Sequence, residues 1–110
     1  MNLKQQLLAI EKKVVKVKIP EMTAPVFVKV MTGAEYEAYV GLIEAAGKTS
    51  SGNRAALVAL TACDETGKKI FECVEETHGV NTTVLERLAT VALKLNGMTP
   101  AAREEYEKNS

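Results

Sequence analysis

Residues 54–98 read RAALVALTACDETGKKIFECVEETHGVNTTVLERLATVALKLNGM, and the fold turns on this stretch. In its second half Val84, Leu88, Val91, Ala92 and Leu95 recur at helical steps, while Glu86, Arg87, Thr90 and Lys94 fall on the opposite side. That spacing predicts an amphipathic helix with one buried and one wet face. Asn81 or Thr83 starts it, with Glu86 placed to complete a capping box for the threonine, and Asn96 and Gly97 end it. The first half differs. From Arg54 to about Cys63 the apolar residues Leu57, Val58, Leu60 and Ala62 go nearly all the way round a helix. Such a helix is buried on every side, either as the centre of a small domain or with one flank covered by another subunit or a partner. Ala55, Ala56 and Ala59 permit close packing inside one chain.

Between these helices, Asp64 to Lys69 (DETGKK) is a turn in which Gly67 is free to take a positive φ. It lacks the alternating oxygen ligands and terminal bidentate glutamate of a calcium loop. Ile70 and Phe71 anchor the chain, and a short helix through Val74 ends at Gly79, where His78 suits the last carbonyls.

Toward the N-terminus, Asn2 caps a short helix in which Leu3, Leu7 and Ile10 share a face and Lys12 and Lys13 close the last turn. The period then becomes two. Val15, Val17 and Ile19 alternate with Lys16 and Lys18 up to Pro20, and after the loop EMTAP a second run sets Val26, Val28 and Val30 against Phe27, Lys29 and Met31. Two strands so close in sequence pair as an antiparallel hairpin, and a hairpin is marginal unless one face packs on helices. Thr32 and Glu35 have capping-box spacing, so a helix begins at about Gly33. Its apolar stripe is Tyr36, Tyr39, Val40 and Ile43, with Leu42 off to the side, and Gly47 stops it. Lys48 to Asn53 (KTSSGN) reads as a loop and the one candidate hinge. Thr99 and Pro100 restart a final turn, and residues 101–110 form an exposed tail. The expected fold class is mainly α (α+β): a single small helical domain, residues 1–110, with an N-terminal β-hairpin packed on the helices.

Composition bounds the function. The chain has 110 residues, 46% hydrophobic and 25% charged, which suits one soluble core. Its 14 basic residues balance 14 acidic ones, so nothing favours a phosphate backbone, and nucleic acid is not an expected partner. The segment MNLKQQLLAI is interrupted by polar residues and lacks an export-signal pattern. No run reaches the roughly eighteen apolar residues of a membrane span, so a cytoplasmic location with reduced Cys63 and Cys73 is expected. Two thiols and one histidine fall short of a zinc site, and the cysteines read as structural. No serine stands beside a usable base and no glycine-rich loop follows a strand in a βαβ unit, so neither an enzyme nor a cofactor site is expected. A binding module remains.

The same residues carry a resemblance. An arginine-led apolar helix running into CDETGKKIF, and a second helix ending in LERL…ALKLNGM, resemble the tail assembly chaperones of long-tailed bacteriophages with lambda-like tail assembly. KIPEMTAPVFVKVMTGAEYEAY extends the likeness toward the N-terminus, to about residues 14 to 98 in all. The resemblance implies a protein that binds the tape measure protein, keeps it soluble and brings tail tube subunits to it. It further implies a chaperone that works in the cytoplasm of the bacterial host and is absent from the finished virion. In that family a ribosomal frameshift near the gene's end also yields a longer product whose added domain contacts the tail tube protein. Lys108 and Asn109 are compatible with a slippery run A AAA AAC at that point. The alternatives are a structural head-to-tail connector that stays in the particle, or another small phage, prophage or host regulatory binding module.

A coat on a long client needs neighbouring copies, and an all-round apolar helix in a small domain can leave one flank for them, so a homo-oligomer is expected. The protein-interaction surface is expected around the off-stripe Leu42 and one flank of the helix bearing Leu57, Val58 and Leu60.

Overall fold

The period-two valines build the sheet. In the computed structural model, which describes residues 2–10, 13–47 and 50–98, β1 (Val14–Val17) pairs antiparallel with β2 (Val26–Lys29). Val15 lies opposite Val28 and Val17 opposite Val26. Val17, Ile19, Val26 and Val28 are buried while Lys16 and Lys18 face water, as alternation requires. A third strand, β3 (Ala62–Cys63), pairs with the other edge of β2, so the order is β1-β2-β3 with β2 in the middle.

Among the described residues four helices complete the fold: α1 (Leu3–Ala9), α2 (Gly33–Ala45), α3 (Ser50–Thr61) and α4 (Thr82–Leu95), with a 3₁₀ helix at Val74–Gly79. Both expected caps at the N-terminal helices form. Asn2 and Gln5 make a capping box on α1, and Thr32 and Glu35 make one on α2. Glu35 also pairs with Lys29 at the end of β2, which fixes the turn from sheet to helix. Gly47 closes α2 at φ 73° and Gly97 closes α4 at φ 66°, conformations that a Cβ would strain. After α4 the Gly97 N–H donates to Lys94 and the Met98 N–H to Leu93, the paired bonds of a Schellman ending.

Several sequence expectations shift. Cys63 and Ala62 end not a helix but begin a strand, because the backbone leaves α3 at Thr61 and pairs at once with Phe27 and Val28. Ser50 to Asn53, expected as loop, form the first turn of α3; small polar residues tolerate a helix start. Asn81 alone caps α4, accepting from the Thr83 and Val84 N–H groups, and Glu86 reaches instead toward Arg54, at 3.9 Å. The buried face of α4 centres on Leu88, Ala89 and Ala92, with Val84, Val91 and Leu95 half-buried at its borders. The DETGKK turn holds as expected, with Gly67 at φ 88° and the Asp64 carboxylate accepting from the Thr66 and Lys68 N–H groups. Ile70 is largely exposed, so Phe71 does the anchoring alone. Lys12, Lys48, Thr49, Thr99, Pro100, Lys108, Asn109 and the rest of the expected tail at 101–110 lie outside the described residues.

The core sits between the sheet and the helices. Val28, Leu57, Val58 and Ala62 meet there with Leu88, Ala89 and Ala92. The two buried threonines are satisfied within their own segments: Thr61 donates to the Leu57 carbonyl and Thr77 to that of Val74, each at 2.6 Å. The fold is mainly α, of the α+β class, with an N-terminal hairpin and helices packed on it.

Candidate protein-interaction surface

Every residue from Ala55 to Cys63 is buried, so α3 is the hub expected from its all-round apolar character. It packs against α2, α4 and the 3₁₀ helix of the same chain. Leu57 and Val58, at 1% and 0% exposure, therefore belong to the interior, and anything touching them would have to displace a neighbouring element. Leu60, at 7%, lies at the edge.

Leu42 is where the surface begins. It is half-buried and packed on the core, so the side of α2 expected to stand apart is a packing side. Tyr36, expected within the stripe, is 44% exposed, and only Tyr39 of that helix is buried. The stripe is thus turned toward Leu42 and Ile43 because α3 and the 3₁₀ helix approach from that flank.

Two shallow cavities adjoin at Leu42, Val74 and Glu75, forming a groove between α2, α3 and the 3₁₀ helix. One, of about 270 Å³, is walled by Leu60, Phe71 and Cys73, with Glu72 and Lys69 on its rim. The other, of about 230 Å³, is floored by Ala45, Ala46, Gly52, Ala55 and Ala56, and His78 borders it. The small residues of α3 leave the hollow that the larger ones wall, so the groove is apolar with an acidic edge. Leu42 and Leu60 line it, and Leu57 and Val58 support the core behind.

Chemistry in and near the groove is sparse. Cys73 is exposed, whereas Cys63 is buried, and desolvation raises its thiol pKa despite the opposing charge of Lys29. Among the described residues no group of three or more His, Cys, Asp or Glu side chains is placed to hold a metal. No described helix is long and apolar enough to cross a membrane.

The architecture has a counterpart. The chain is similar to the solved structure of the bacteriophage HK97 tail assembly chaperone, with a TM-score of 0.59 at 19% sequence identity, covering 86% of this chain and 98% of that one. This is the tail assembly chaperone fold. No protein-family model and no curated protein matches the sequence. At such identity the likeness with the HK97 chaperone is one of fold. It spans nearly all of that protein.

One surface of this chaperone fold was not legible beforehand. Leu3, Leu7, Leu8 and Ile10 of the N-terminal segment are 66–79% exposed, and α1 buries no residue at all. The periodicity of Leu3, Leu7 and Ile10 signals an apolar face, but a face alone does not say whether its cover lies in the same chain.

Proposed function

We propose that this protein is a phage tail assembly chaperone that binds the tape measure protein, keeps it soluble and helps recruit tail tube subunits to it. The observation that carries this reading is the fold match to the HK97 tail assembly chaperone across 98% of that chain. An apolar groove and an uncovered apolar helix on an otherwise neutral domain suit a protein that shields apolar clients and is released from them. Leu42 and Leu60 provide the reachable part of the protein-interaction surface, with Leu57 and Val58 behind them. The chaperone works as a homo-oligomer in the cytoplasm of the bacterial host and leaves before the virion is complete. A frameshifted longer product supplies the contact to the tail tube protein.

Co-expression with the tape measure protein of the same phage tests this. The client alone should aggregate, and with this chain it should stay soluble and copurify. A client equally insoluble with and without the chain, together with intact tails from a deletion phage, would refute the chaperone role. Detection of the chain in purified particles would favour the connector instead.

A further inference from the structure

A seven-residue helix is far below the roughly 12–15 residues at which isolated helices become even marginally stable in water. α1 nevertheless carries a complete capping box and displays Leu3, Leu7 and Leu8 to solvent, with the C-cap residue Ile10 exposed after them. Leu3, Leu7 and Ile10 follow the i, i+4, i+7 spacing with which a helix anchors in a groove. The groove between α2, α3 and the 3₁₀ helix has matching character, floored by alanines and Gly52 and walled by Leu42, Leu60 and Phe71.

We propose that the α1 helix of one copy docks into the groove between α2, α3 and the 3₁₀ helix of a second copy. This rests on the self-association in the functional reading above and names its interface. Charge selects this occupant. Among the described residues the α1 segment carries Lys4, with Lys13 just before β1, and no acidic residue, whereas the groove presents Glu72 and Glu75 with Glu76 beside them, against Lys69 and the neighbouring His78. A basic apolar helix thus meets an acidic apolar slot. The helix does not fill the slot of its own chain, since α1 buries no residue.

Because α1 buries nothing, Leu7→Asp leaves the fold intact, which circular dichroism verifies, and it should weaken self-association in sedimentation velocity by about tenfold or more. Lys4→Glu and Glu75→Lys should each weaken association, and the double variant should recover it. The exposed Cys73 in the groove is a built-in probe: Leu8→Cys under mild oxidation should yield disulfide-linked multimers that vanish when Cys73→Ser is added. Oligomers that persist in Leu7→Asp would overturn the interface while leaving self-association standing. Multimers that form without Cys73, through Leu8→Cys pairing with itself, or a Leu8→Cys to Cys73 bond inside one monomer, would overturn it equally. A wild-type chain that is monomeric at all concentrations would overturn both the interface and the self-association reading, and would leave the client test untouched.

Discussion

The Asn96 side chain accepts a hydrogen bond from the Met31 backbone N–H at 2.8 Å, across 65 residues of sequence, and so clasps the end of α4 to the exit of β2. Its amide also donates to the Lys29 carbonyl at 3.3 Å and to the Ala92 carbonyl at 2.9 Å. One side chain therefore ends a helix and satisfies the last polar groups of a strand. Asn96→Ala should cost about 1–3 kcal/mol, since it leaves partly buried backbone groups without partners. Asn96→Asp, which keeps the acceptor for Met31 and loses both donated bonds, should fall between. Urea unfolding midpoints at constant m-value measure both; a wild-type midpoint for Asn96→Ala would show the clasp to be dispensable.

Glu35 makes stability depend on acid. Burial alone would raise its carboxyl, but the Lys29 ammonium and the Thr32 N–H and hydroxyl outweigh that, and its pKa is lowered from the ordinary 4.5. A carboxylate depressed on folding stabilises fully above its unfolded value, and that contribution is lost as the pH falls through its folded value. Wild-type stability should therefore decline on acidification below about 4.5, and Glu35→Gln should flatten that limb while lowering the neutral plateau by about 1 kcal/mol. Glutamine preserves the capping geometry, so the change reports the charge. Identical acid limbs would show that the Lys29 pair contributes nothing.

Leu88, at 3% exposure, faces the core, so Leu88→Asp should unfold the domain by burying an unpaired charge. Leu57→Ala, at the hub, should cost roughly 2–5 kcal/mol through lost contacts and a residual cavity. Calorimetry would register both. A folded Leu88→Asp protein that had lost only its client would mean that core and interface had been exchanged.

The two thiols should differ sharply toward a soluble maleimide or disulfide reagent. Cys73 is exposed and should react at once; Cys63, 1% exposed with a raised pKa, should react only on unfolding, as timed mass spectrometry would reveal. Equal rates would show that the β2–β3 edge opens readily.

Much of the fold was legible because it is written in local terms. The valines of β1 and β2 announce their period, Thr32 and Glu35 announce a helix start, and Gly47 and Gly97 announce the stops. What was not legible depends on distant partners. Nothing in Ala62 and Cys63 says strand; Phe27 and Val28, more than thirty residues earlier, decide it by offering an open edge. Glu86 has capping-box spacing from Thr83, yet Asn81 is the better-placed oxygen and Arg54 the nearer charge. Of the surface, Leu42 and Leu60 were singled out by their surplus apolarity, but the groove they line exists only because Phe71 and Val74 fold across from them. That α1 would stand uncovered had no signature within the chain, since the pattern of a helix waiting for a partner equals that of one already packed.

The burial of α3 on every side also sets an order of events during synthesis. The hairpin and α2 leave the ribosome first and can cover one flank of α3, but the opposite flank waits for α4, whose first residue, Thr82, is translated 21 positions after Thr61. Until then the helix that ends up most deeply buried is half dressed and open to other chains. A chain with the tail assembly chaperone fold thus passes through an interval in which it needs shielding itself, and closure comes only when Asn96 has reached Met31.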